Sequence, residues 1–210
     1  MTVAVRAVVF DIGGVLQHSV ETGFEVRWER RLGLESGEFW ERIRRSGLGG
    51  DGNLGRISEE EFAEGLGRLY GLDGRETGEL LRDLWEWYVG ELNTEVTAYF
   101  RSLRPRYRTA ILSNGAAGGR REEEARYGFS SIADVLVYSY EVGLQKPDPR
   151  IYLLTCQRLG VSPEEGVFLD DQEENVVGAR EVGMRSVLFQ STAQAIADVE
   201  GHLATADRKG

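Results

Sequence analysis

Short apolar runs and longer amphipathic stretches alternate along most of this chain. Runs at 3–10, 109–112, 135–138, 167–169 and 186–189 are rich in Val, Ile, Leu or Phe and scarcely alternate with polar residues. That texture predicts strands covered on both faces. Patterns with helical spacing lie between and after them, at 94–103, 120–127, 149–159, 174–182 and 193–203. Strand and helix alternating at this interval predict an α/β fold with a doubly wound, Rossmann-like parallel sheet.

Residues 17–92 have a different texture and no run that predicts a strand. Ser58 with Glu61 forms a capping box, followed by Phe62, Leu66, Leu69 and Tyr70 at helical spacing. Leu81, Leu84, Trp85, Tyr88 and Leu92 make a second stripe, and glycine-rich 47–55 is expected to join two helices. The pattern predicts a helical subdomain at 17–92 inserted into an α/β core made of 1–16 and 93–210. All four tryptophans, Trp28, Trp40, Trp85 and Trp87, fall in this insert and are expected to build its core. Side chains two apart on a helix point ~200° from each other, so Trp87 sits at the edge of the Trp85 stripe. It is a candidate for lining a pocket or meeting another subunit.

Composition narrows the partners. Acidic residues outnumber basic ones 35 to 25, for a formal charge of −10. Binding nucleic acid by neutralising phosphates calls for the opposite balance. Cys156 is the single cysteine, so no internal disulfide is expected, and its place in a helical pattern predicts a buried thiol. The apolar run at 3–10 is broken by Arg6 and ended by Asp11, too short for a membrane span or a signal peptide. These features together predict a soluble, cytoplasmic protein with no membrane partner. Glycine, with 27 residues, is in excess, which predicts tight turns and close backbone approaches.

Candidate chemistry collects where strands end. The first strand runs into Asp11-Ile12-Gly13-Gly14, and the second into Ser113-Asn114-Gly115. Lys146 precedes Pro147 and a helical pattern, and the fourth strand ends in Asp170-Asp171. Each alone has an ordinary reading: a turn, a turn, a solvated lysine, a helix cap. Parallel strands, however, carry all of these to one edge of the sheet, where open α/β folds bind ligands. Adjacent carboxylates in such a place repel unless a cation lies beside them, and hard oxygen donors suit Mg²⁺.

This set, with the insert after the first strand and the phrase 55–62, resembles the haloacid dehalogenase superfamily, most of whose members are phosphatases. The likeness spans nearly the whole chain. It implies that Asp11 is a nucleophile forming an aspartyl-phosphate, that Ser113 hydrogen-bonds the transferring group, and that Lys146 neutralises phosphate and Asp11. It further implies a Mg²⁺ site of Asp11, the Gly13 carbonyl, Asp170 and Asp171. Gly13, Gly14, Asn114, Gly115 and His18 are the candidates for contacting substrate. One position departs from the pattern: the second acid usual two residues after the nucleophile is here Gly13, which cannot move a proton. A substrate with a good leaving group, a substitute acid such as His18, or binding without efficient turnover would each account for it. The expectation is a Mg²⁺-dependent phosphomonoesterase of small phosphorylated metabolites, a monomer or homodimer. The alternative is a metal-free 2-haloacid dehalogenase, in which Asp170-Asp171 would have no task.

Overall fold

A computed structural model describes residues 3–207. The chain begins with β1 (Ala7–Phe10) and a two-residue strand β2 (Gln17–His18). Five helices follow: α1 (Phe24–Leu32), α2 (Glu38–Ser46), α3 (Leu48–Asn53), α4 (Glu59–Tyr70) and α5 (Gly74–Val89). A second short strand, β3 (Glu91–Leu92), returns antiparallel to β2, with Gln17 opposite Leu92. The remainder alternates: α6 (Thr94–Leu103), β4 (Arg108–Ser113), α7 (Ala117–Tyr127), β5 (Val135–Tyr138), α8 (Ser139–Val142) and α9 (Pro149–Leu159). It ends with β6 (Gly166–Asp170), α10 (Glu173–Glu181), β7 (Arg185–Leu188) and α11 (Thr192–Asp207).

The five longer strands form one parallel sheet in the order β5-β4-β1-β6-β7. β1 is central, and its residues alternate between two cores. Val8 and Phe10 pack with Val96, Phe100 and Val199 on one face, and Ala7 and Val9 with Ile151, Tyr152 and Phe168 on the other. Burial on both faces is why the strand reads as an unbroken apolar run. Cys156 is buried in the second core, as expected, and burial pushes its thiol up to about 11.

The α1–α5 segment has its own core of Phe24, Trp28, Phe39, Ile43, Leu66, Leu80 and Leu84. The capping box is present: Ser58 Oγ accepts from Glu61 N at 3.1 Å and Glu61 Oε2 from Ser58 N at 2.8 Å. Trp87 stacks within this core, 4.8 Å from Trp40 and 5.6 Å from Phe24 between ring centres.

Several expectations are corrected. The first strand starts at Ala7, where ladder partners Arg108 and Gly166 begin on either side. Residues 17–92 do contain strands: β2 and β3, two residues each, are too short to show an alternation. The glycine-rich 47–55 holds helix α3, because Leu48 packs against the core of the neighbouring helices and tertiary contact overrides weak propensity. Helix α7 begins at Ala117, before the expected 120, and its early glycines have a steric reason. A Cβ on Gly119 would lie 2.9 Å from Tyr88 Cε1, so α5 and α7 pack closer there than side chains allow.

Candidate active site

The carboxyl ends of β4, β1 and β6 are neighbours, and the loops leaving them build one cluster. β1 and β6 flank the point where successive strands switch from one side of the sheet to the other, the crevice in which such folds bind ligands. Asp11 follows β1 directly, Ser113 closes β4, and Asp170 closes β6. Lys146 comes from the loop between α8 and α9, and its ammonium reaches both Asp11 Oδ1 (2.8 Å) and Asp170 Oδ2 (2.6 Å). All three of these ionic side chains are buried.

The hydrogen bonds fix which atoms are free. Asp11 Oδ1 also accepts from Ile12 N at 2.7 Å, so its donors gather on one oxygen and Oδ2 takes none among the described residues. Asp170 Oδ1 accepts from Gln172 N (2.8 Å) and Asn175 Nδ2 (3.0 Å), while Oδ2 accepts from Lys146. A carboxylate has about four acceptor sites, so Asp170 keeps room for one more partner. The Ser113 hydroxyl is committed to no partner among the described residues.

Charge is unbalanced in this crevice. Burial pushes Asp11 up to about 7; Lys146 opposes the rise and Asp170 adds to it. Burial pulls the Lys146 ammonium down, but Asp11 and Asp170 outweigh it and hold the group above its ordinary value. Burial and the neighbouring Asp170 also raise Asp171. Asp11, Asp170 and Asp171 each offer an oxygen, and these atoms lie within 4.8 Å of one another. Three acids against one lysine is a set that calls for a cation. Gly14 makes the room: at φ +72° it takes a conformation side chains avoid, and a Cβ there would overlap the Asp171 carboxylate.

Not every expected contact falls on the substrate side. Both polar atoms of the Asn114 side chain hold the main chain of Lys146, accepting from its N at 2.8 Å and donating to its O at 2.9 Å. The side-chain amide thus positions the lysine, with one of its two N–H groups engaged in doing so. Gly115 N donates to Ser139 Oγ at 3.0 Å, so that donor is occupied as well. Gly13 is exposed, and a Cβ added to it would meet nothing within 4 Å. His18 is exposed on β2.

Sequence reasoning missed a second buried network beside the first. Glu123 of α7 is fully buried, accepting from Gln17 Nε2 (3.0 Å) and Tyr138 Oη (3.0 Å). Burial pushes it up to about 7. Within 122–124 it looks like part of a solvated acidic patch. The signal that separates it is helical spacing, since Glu123 shares a face with Gly119, where α7 meets α5.

A model of the haloacid dehalogenase-like hydrolases matches residues 5–183. Mouse acyl-CoA dehydrogenase family member 10 is 31% identical over 94% of this chain, and pig bifunctional epoxide hydrolase 2 is 30% identical over 94%. The chain spans only 19% and 38% of those proteins' lengths. D-ribitol-5-phosphate phosphatase of Bacteroides thetaiotaomicron is 27% identical, over 87% of this chain and 90% of that one. A crystal structure of a HAD family enzyme from the same bacterium, in complex with magnesium and inorganic phosphate, has a TM-score of 0.79 at 20% identity. It covers 89% of this chain and 95% of that one, a likeness of fold.

Proposed function

We infer the chemistry from one premise: the chain belongs to the haloacid dehalogenase-like hydrolase family. We propose that it is a Mg²⁺-dependent phosphatase of small phosphorylated molecules, with Asp11 as nucleophile. The observation that carries this reading is the buried Asp11–Lys146–Asp170 bridge with Asp171 beside it. Its net negative charge would repel a phosphate dianion unless a divalent cation joined it.

The donor set fits that cation: three carboxylates offer hard oxygens within reach of one another, and Gly14 clears the space beside Asp171. Asp11, Asp170, Asp171 and the Gly13 carbonyl would hold Mg²⁺, which supplies positive charge to the phosphoryl oxygens. Asp11 Oδ2, free of internal donors, attacks phosphorus while the bond to the leaving oxygen breaks. Lys146 and the uncommitted Ser113 hydroxyl stabilise charge on the phosphoryl group, each already placed before substrate arrives. Water then attacks phosphorus in the aspartyl-phosphate, freeing phosphate and restoring the Asp11 carboxylate. A phosphatase relative, the Bacteroides ribitol-phosphate enzyme, supports the substrate class.

The alternative, metal-free dehalogenation, leaves Asp171 without a task. A panel of phosphate esters with Mg²⁺ and with EDTA, beside 2-chloropropionate, separates the readings. Turnover that EDTA stops and Mg²⁺ restores is the expected result. Metal-independent chloride release would overturn the proposal.

A further inference from the structure

A cavity of about 150 Å³ lies between the helical insert and the loop after β4. Its wall is made chiefly of Trp40, Phe62, Leu84, Trp85, Trp87 and Tyr88, closed on the core side by Ala116. Part of this wall's polarity is spent elsewhere. The Trp40 indole N–H donates to Glu25 at 3.1 Å, and the Asn53 carbonyl accepts from Ser139 at 2.6 Å. A largely aromatic space of this volume accommodates a benzene-sized ring.

The cavity adjoins the reacting groups. Ala116 stands three residues beyond Ser113. A Cβ placed on Gly115 would lie 3.3 Å from Tyr88 Oη and 3.7 Å from Ser113 Oγ, so one point touches both the cavity wall and the strand end. Asp11 is close enough for its charge to act on the Tyr88 hydroxyl.

An independent observation bears on the leaving group. Gly13 cannot protonate a departing oxygen, although the space beside it is open. A phenol has a pKa near 10, so an aryloxide departs unaided far more readily than an alkoxide, whose parent alcohol is about as weak an acid as water, near 15.7. Cavity and glycine select the same chemistry by different routes. A polyol would set most of its hydroxyls against aromatic and aliphatic surface in this wall, and Gly13 offers no acid to release it.

We propose, resting on the phosphatase reading above, that the substrate is an aryl phosphate whose ring occupies this aromatic cavity while its phosphoryl group meets Asp11. In the reaction the Asp11 Oδ2–P bond forms as the P–O(aryl) bond breaks, and the aryloxide leaves with the electron pair and takes a proton from solvent. Water then breaks the aspartyl-phosphate and loses a proton to solvent, so one water is consumed and phenol and phosphate are released.

The test compares phenyl phosphate, glycerol 1-phosphate and acetyl phosphate, which is small and whose carboxylate leaving group departs without protonation even more readily than phenoxide, all with Mg²⁺. The wild type is expected to favour phenyl over glycerol phosphate by roughly 10²-fold or more in kcat/KM. Gly52 of α3 faces the cavity: a Cβ there would lie 3.6 Å from Ala116 Cβ and 3.9 Å from Phe62 Cδ2, ordinary contacts. Gly52→Leu therefore fills the cavity and improves helix propensity. It is expected to lower the phenyl-to-acetyl ratio of kcat/KM by about tenfold or more, through KM. A ratio within about twofold of wild type overturns the proposal, as does wild-type turnover of glycerol phosphate matching that of phenyl phosphate. Should Gly52→Leu fail to fold, phenol added to wild type reads the same cavity: competitive inhibition supports the proposal and its absence overturns it. Hydrolysis of acetyl phosphate without an aryl preference defeats this inference alone. Hydrolysis of none of the three defeats the phosphatase reading, and the inference with it.

Discussion

Replacing Lys146 by Met keeps the length of the side chain and removes the charge that two buried carboxylates share. The lysine side chain is 1% exposed, Asp170 0% and Asp11 7%, so solvent cannot take over the lost role. Breaking a buried pair by deleting one partner costs about 3–5 kcal/mol. For a chain of this size that corresponds to a fall of roughly 6–20 °C in Tm. The sign with pH follows from Asp11, already raised to about 7 with Lys146 present. Without the lysine it rises further, so the acid is tolerated when neutral and costly when ionised. Stability contributed by the neutral form is present at low pH and is lost as pH rises through the folded-state value. The deficit of Lys146→Met should therefore be larger at pH 8 than at pH 5.5. Thermal or urea unfolding in EDTA, wild type against variant, reads it directly. A loss below about 1 kcal/mol at pH 8, the scale of an exposed pair, would refute the reasoning, as would a deficit that grows toward acid.

Other outcomes follow from the same geometry. Gly13→Asp places a carboxyl in open space two residues after Asp11 and should raise kcat on glycerol 1-phosphate by ~10²-fold or more, with a smaller effect on phenyl phosphate. A folded variant with no gain on the poor leaving group would count against a missing general acid. Glu123, raised from 4.5 to about 7, is tolerated neutral, so its share of stability is present below pH 4.5 and lost as pH rises to 7. That share is roughly 3 kcal/mol, and Glu123→Gln should be more stable than wild type at pH 8 but not at pH 4.5. A Tm difference independent of pH would contradict it. Asn114→Ala should leave Lys146 present but poorly held, lowering kcat by about tenfold, since misplacement by ~1 Å can cost 10²-fold. An unchanged kcat would show that the clamp does not position the lysine.

The sheet was legible because its strands are buried on both faces: Val8 and Phe10 face one core, Ala7 and Val9 the other, leaving no polar position to blur the run. The convergence of Asp11, Ser113 and Asp170 was legible because parallel order sends strand ends to one edge; Lys146 was expected at a strand end, but it reaches them from the loop between α8 and α9. Less was legible where a side chain had more than one use. Asn114 looked like a donor for substrate, yet its amide holds the Lys146 backbone, a contact 32 residues away in sequence. Glu123 looked solvated because its neighbours are acidic, and only the packing of α7 on α5 buries it. The strands β2 and β3 carry two residues each, too few for any periodicity to show.

The proposed reaction turns on Asp11 acting as a nucleophile through its free Oδ2. Turnover of phenyl phosphate with Mg²⁺, quenched in acid within the first cycle and digested, tests this most directly by mass spectrometry. The expected result is one added phosphoryl group on the peptide containing Asp11, absent from Asp11→Asn, which should also lose turnover. Steady hydrolysis by Asp11→Asn at the wild-type rate, or a phosphoryl group on any other residue, would contradict it.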